Sequence, residues 1–233
     1  MILSHDHQFI FVKTEKTAGT SVEMALTSHC GPLDIVTPIA PEDERKRAAL
    51  GLAPKNRIIT GPYKAGSEIP DGVDFAKHIN RNQVLFRFKN HSGARQIKEQ
   101  IGDKLWDRYF KFTIERNPWD SQVSLYFYWK SVNPKFTMNF GTFLQRANEP
   151  LNWERYTIDD KIVVDEVIQY EKLTEGLAAI KDKIGIDISQ SLPRAKSNTG
   201  RNKRDYRELY NAELRQRVAK GYEKVIDTFG YTF

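Results

Sequence analysis

Residues 8–21 read QFIFVKTEKTAGTS, and this stretch decides the fold class. Phe9-Ile10-Phe11-Val12 is a short aromatic and β-branched run, the signature of a buried strand. Lysines, hydroxyls and one glycine follow from Lys13 to Ser21, and Val22 to Thr27 reads as a helix. A strand, a small-residue loop and a helix N-terminus together suit a phosphate or sulfate group. The first helical N–H groups lack partners within the helix, and the helix dipole puts partial positive charge there. Gly19 lets the backbone approach an anion. Thr17, Thr20 and Ser21 are candidate helix caps and hydroxyl donors. Lys16 can meet a group on which negative charge develops.

The nucleotide loop GxxxxGK[ST] needs a Gly-Lys-Ser/Thr triplet, and none occurs in the chain. The order Lys16-Thr17-Ala18-Gly19-Thr20-Ser21 instead resembles the 5′-phosphosulfate loop of sulfotransferases that use 3′-phosphoadenosine-5′-phosphosulfate (PAPS). The carbohydrate-type members, whose loop reads approximately PKTAGTS, are the most similar. This chain has Glu15 where that pattern has proline, and a carboxylate there is unfavourable beside an anionic donor. A capped helix after an edge strand is the plainer reading of the loop taken alone.

A second strand–loop–helix unit lies about a hundred residues on, YFKFTIERNPWDSQVSLY at 109–126. Tyr109 to Ile114 reads as a strand, Asn117 as a cap, and Pro118 as the first helical residue. Val123, Tyr126 and Phe127 share a helix face. If the two strands are parallel, Arg116 leaves its strand toward the edge that carries the first loop, where ligands of open α/β sheets sit. Its guanidinium can grip a phosphate in two-pronged fashion. The plainer reading is an ion pair with Glu115 or Asp120. The unit is similar to the 3′-phosphate site of the same sulfotransferases, roughly VRNPxxRxxSxY, matched by Arg116, Asn117, Pro118, Ser124 and Tyr126. Ser121 stands where that pattern has its second arginine.

Upstream, HSGARQIKEQIGDKLWDRYFKF resembles the family's approach to this motif. Ser92 is the expected cap of a helix running to about Ile101, with Gly102 its stop. The resemblance makes His91 the candidate general base, since histidine titrates near neutrality and can take a hydroxyl proton. A capping or donor-positioning role is the alternative. His78 and Glu68 are reserves, while His5 and His7 are expected at a mobile end.

With 233 residues the chain suits one α/β domain with a substantial core. Net charge is +6, which suits an anionic donor and also nucleic acid. Cys30 is the sole cysteine, so no intramolecular disulfide or thiolate metal centre can form. Neither a signal peptide nor a run of about 20 apolar residues is present, so a soluble, cytoplasmic protein is expected. Prolines break up 31–90, with a charged helix at Glu42 to Leu50 and a short strand at Asn56 to Thr60. Lid and acceptor-binding segments are often of this kind. Farther on, Lys161 to Ile168 holds short strand runs. Tyr170-Glu171-Lys172-Leu173 resembles the family's YExL, in which the glutamate orients the site. A helix from Glu175 to Ile184 ends at Gly185, and the last helix is expected over Arg207 to Phe229. The basic run 194–207, RAKSNTGRNKRDYR, reads as a solvated loop. By resemblance it is a nucleotide clamp, with Lys196, Ser197, Arg201 and Arg204 as candidates.

These readings combine into one domain over 1–233, a mostly parallel sheet flanked by helices, with a phosphate loop after the first strand. The resemblance implies sulfuryl transfer from PAPS to a hydroxyl, on a carbohydrate, with no metal. Its site would be His91 as base, Lys16 on the leaving oxygen, residues 17–21 on the 5′-phosphate, Arg116 and Ser124 on the 3′-phosphate, and Lys196 and Arg201 in the clamp. An ATP-using phosphate-loop kinase and a basic nucleic-acid-binding protein are the alternatives. The missing GK[ST] weighs against the first, and the lack of a recognition or stacking motif against the second.

Overall fold

The computed structural model describes residues 1–60, 84–146, 152–190, 192 and 205–233. Its strands are β1 (Ile2–Ser4), β2 (Phe9–Phe11), β3 (Ile35–Val36), β4 (Ile58–Thr60), β5 (Val84–Arg87), β6 (Phe110–Glu115), β7 (Thr157–Ile158), β8 (Lys161–Ile162) and β9 (Glu166–Gln169). The helices are α1 (Gly19–Thr27), α2 (Pro41–Ala49), α3 (Ala94–Ile101), α4 (Asp103–Arg108) and α5 (Pro118–Val132). They continue with α6 (Phe140–Arg146), α7 (Trp153–Tyr156), α8 (Leu173–Ile184), α9 (Ala212–Gly221) and α10 (Glu223–Phe229).

The central sheet runs β3-β1-β2-β6-β9. β2, β6 and β9 are parallel, while β1 is antiparallel to both β2 and β3. The sheet is therefore mixed, not mostly parallel. The difference comes from Met1-Ile2-Leu3, an apolar triplet buried at the start of the chain. It folds back on β2 as a hairpin whose turn Asp34 fastens, accepting from Ser4 Oγ at 2.8 Å, His5 N at 2.6 Å and Gly31 N at 2.9 Å. The expectation of a mobile end at His5 and His7 is corrected accordingly. His5 Nδ1 lies 2.7 Å from the Tyr109 hydroxyl, and the Met1 amino group donates to the buried Glu23 and Thr37.

Strand alternation divides the core into two layers. Phe9 and Phe11 of β2, with Phe112 and Ile114 of β6 and Ile168 of β9, face α1 and α8 through Val22, Leu26, Leu177 and Ile180. Ile10 and Val12 face the opposite side, where α3 to α7 and the C-terminal helices pack. Both faces of the central strands are covered, which is why they read as continuous apolar runs.

Local signals account for most boundaries. Gly102, at φ 81°, stops α3, and Gly185, at φ 65°, stops α8. Asn117 accepts from the amides of Trp119 and Asp120 and so caps α5, with Pro118 at its first position. Two expectations fail. Gly93, not Ser92, precedes α3, because Ser92 Oγ accepts from Lys89 N at 2.9 Å and closes the preceding turn instead. The final helix is broken into a 3-10 turn, Tyr206–Leu209, followed by α9 and α10. Asn211 caps a new start by accepting from Leu214 N, and Gly221-Tyr222 interrupts the continuation. Among the described residues no helix is long and apolar enough to cross a membrane, and no cluster of three or more His, Cys, Asp or Glu could hold a metal ion.

Candidate active site

The candidate loop follows β2, the second strand and not the first as expected, because Ile2–Ser4 already forms β1, and it is tied down along its length. Val12 N donates to Phe112 O at 2.9 Å, and Thr113 Oγ1 donates back to Val12 O at 2.7 Å. Thr14 Oγ1 donates to Ile114 O at 2.5 Å. Two non-glycine residues, Lys16 at φ 62° and Ala18 at φ 60°, adopt left-handed backbone, which costs on the order of 1 kcal/mol each and survives only where surroundings enforce it. Gly19 is required for the close approach of the loop to itself. A Cβ there would stand 2.9 Å from Lys13 Cγ and 3.2 Å from Thr14 O.

Ala18 precedes α1, and no side chain caps this helix. The expected caps serve otherwise. Thr17 is buried, with its hydroxyl 2.8 Å from that of Thr14. Thr20 and Ser21 lie inside the first turn of α1, Thr20 buried and Ser21 half-buried. A helix start without a side-chain cap keeps its dipole end available to an anion.

Arg116 leaves the end of β6 beside this loop. Its Nη1 donates to Lys16 O at 2.8 Å, and its Nη2 and Nε meet Asp120 Oδ2 at 2.6 and 2.8 Å. The guanidinium also lies 4.2 Å from the centre of the Tyr170 ring. The ion-pair and loop-facing readings of Arg116 are thus both realised, with Asp120 as partner. Glu115 accepts instead from the Arg116 amide. Glu171 Oε1 accepts from Asn117 N at 2.8 Å, so it orients the turn into α5.

Asp120, Ser124 and Tyr128 recur every four residues on α5 and so share one face. Asp120 holds Arg116 at one end, and Lys16 Nζ lies 4.2 Å over the Tyr128 ring at the other. Half-buried Ser124 lies between them in the sequence of that face. Ser121, in the position of the missing arginine, is buried. Its hydroxyl has no hydrogen-bond partner among the described residues.

His91 meets the start of the loop. Its Nδ1 lies 3.1 Å from Lys13 O. A carbonyl can only accept, so Nδ1 carries the hydrogen and Nε2 keeps its lone pair. Burial and then the Lys13 charge hold this imidazole down at about 3, far below its ordinary 6.5, so the ring is neutral at pH 7. Lys13 itself is buried, bonded to Glu23 at 2.6 Å and to Asn90 Oδ1 at 2.8 Å. Lys196, Ser197, Arg201, Arg204, His78 and Glu68 lie outside the described residues.

Sequence reasoning missed Asn152, Arg155 and Tyr156. Asn152 Oδ1 accepts from Glu15 N at 2.7 Å, and its Nδ2 donates to Glu15 O at 3.1 Å and Glu115 Oε1 at 3.3 Å. Tyr156 donates to Glu115 Oε2 at 2.8 Å. Burial raises the Glu115 carboxyl from 4.5 to about 7 against these hydrogen bonds. Nothing in the sequence singled them out, because Trp153–Tyr156 is a single short turn.

The chain matches the profile described as Sulfotransferase family over residues 1–232. An uncharacterized protein of Archaeoglobus fulgidus is 37% identical over 98 residues, which cover 40% of this chain and 82% of that protein. No solved structure matches.

Proposed function

Because the chain belongs to the sulfotransferase family, its chemistry is sulfuryl transfer, and we propose that the donor is PAPS and the acceptor a carbohydrate hydroxyl. One observation carries this reading. The 2.8 Å bond from Arg116 to Lys16 O joins the two anion-type loops at the carboxyl ends of adjacent parallel strands. A donor with phosphates at both ends of its nucleoside needs two such loops, one for each end.

In this reading the amides of residues 17–21 and the start of α1 receive the 5′-phosphosulfate. Arg116 and Ser124 receive the 3′-phosphate and so select PAPS over ATP, with Lys196 and Arg201 closing over the nucleotide. His91 Nε2 takes the acceptor proton. The acceptor oxygen forms its bond to sulfur as the bond from sulfur to the 5′-phosphate oxygen breaks. 3′-Phosphoadenosine-5′-phosphate (PAP) leaves, and Lys16 meets the charge that develops on it. Lys16 then exchanges its resting place over Tyr128 for the leaving oxygen. Positioning and fixed charge supply most of the rate, as in phosphoryl transfer.

The test is transfer of radiolabelled sulfate from PAPS to a panel of polysaccharides, monosaccharides, alkyl alcohols and phenols. Labelled carbohydrate is the expected product. Label on alcohols or phenols alone overturns the acceptor, and no transfer to any of them overturns the reading.

A further inference from the structure

Glu15 is the conspicuous departure of the first loop, a carboxylate placed before Lys16 where the donor brings negative charge. Its side chain does not face that charge unaccompanied. Glu15 Oε1 pairs with Arg155 Nη2, and Arg155 Nη1 donates to the His91 carbonyl at 2.5 Å. One planar guanidinium thus bridges the donor loop and the backbone of the candidate base. A fork of this kind serves two acceptors at fixed separation, and a lysine cannot.

The neighbours of Arg155 reinforce the bridge. Three residues earlier in the sequence, Asn152 holds the Glu15 peptide on both its N–H and C=O sides. One residue later, Tyr156 anchors to Glu115 at the end of β6. A Cβ on Gly93 would lie 3.3 Å from Arg155 Cα, so the His91 segment packs directly on this turn. Residues 152–156 therefore touch the donor loop, the β6 end and the His91 segment at once.

We infer that Arg155 is a positioning residue: anchored by Glu15, it holds the His91 segment against the donor loop and sets the distance from base to donor. The inference rests on the reading of His91 as base and of residues 13–21 as donor loop. Energy alone is a poor reason for the Glu15–Arg155 pair. Glu15 and Arg155 side chains are 31% and 26% exposed, and such partly solvated pairs contribute little. Geometry is what the pair supplies, a tether from residue 15 to the His91 backbone. Arg155 also adds its charge to the field that keeps the His91 ring neutral, behind burial and Lys13.

The experiment titrates the His91 ring by NMR and measures PAP affinity by calorimetry, for wild type, Arg155→Gln, Arg155→Lys and Glu15→Gln. In wild type the ring is expected to stay neutral well below pH 6.5. Arg155→Gln is expected to raise its titration, as a neighbouring charge and a tether are lost, and to weaken PAP about tenfold. Arg155→Lys keeps the charge, so the ring titrates near wild type, but one ammonium cannot span both acceptors and PAP weakens about threefold. Glu15→Gln weakens PAP about as much as Arg155→Lys does. A folded Arg155→Gln whose His91 titrates as in wild type overturns the inference. If that variant does not fold, Arg155→Lys and Glu15→Gln binding PAP at wild-type strength overturn it. Wild-type protein that binds no PAP removes the donor reading instead, and the titration then decides alone whether Arg155 governs His91.

Discussion

Arg116 bonds the backbone carbonyl of Lys16, whose own ammonium lies over Tyr128; under the proposed reading the two residues have different duties, and substitution should separate them. In that reading Lys16→Ala removes the cation that meets charge formed only during transfer. Its turnover should fall by about 10²–10³-fold while PAP affinity changes far less, a split visible by comparing rates with calorimetry. Arg116→Ala should do the reverse, weakening PAP about ten- to a hundredfold. His91 makes a prediction in pH. Its ring is held at about 3 and is neutral above that, so a base of this kind stays competent as pH falls through 6.5. The acid limb of kcat/KM, which reports the free enzyme, should lie well below pH 6.5 for any acceptor the panel identifies. A limb centred at 6.5 or above would remove His91 from the role.

The elements that frame these residues were the most legible part of the sequence. β2 and β6 announce themselves as apolar runs because both their faces are buried. α5 was readable from Asn117-Pro118, and the ends of α3 and α8 from Gly102 and Gly185. β1 was not, since three apolar residues next to two histidines form no period and become a strand only by pairing with β2 and β3. The break between α9 and α10 was hidden by apolar spacing that continues through Gly221. α7 has four residues, too short for any periodicity, and its role rests on contacts with residues far away in sequence. Packing at this scale makes its own prediction. Gly176 brings α8 against β9 so closely that an added Cβ would lie 2.3 Å from Ile168 Cγ2. Gly176→Ala should destabilise the protein by about 1–3 kcal/mol in chemical denaturation, with little effect on PAP binding once folded.

Glu115 and His91 tune the whole molecule in opposite senses. Folding raises the Glu115 carboxyl from 4.5 to about 7. The stability this group contributes is complete below pH 4.5 and is lost as pH rises through 7, on the order of 3 kcal/mol in all. Folding lowers His91 from 6.5 to about 3, so its effect is complete above pH 6.5 and is lost as pH falls toward 3. Relative to wild type, Glu115→Gln should therefore become more stable as pH is raised from 5 to 7. His91→Gln should become relatively more stable as pH is lowered from 6.5 to 5. Thermal melts over that range check both, and matching slopes for variants and wild type would mean that neither group is displaced by folding. The central claim concerns the two loops acting as one donor site, and it is tested most directly by calorimetry of PAP and of adenosine 5′-monophosphate against wild type and Arg116→Ala. The account predicts that wild type binds PAP about a hundredfold more tightly than the monophosphate, and that Arg116→Ala erases most of this preference. Equal affinities for the two nucleotides in wild type, or a preference untouched by Arg116→Ala, would contradict it.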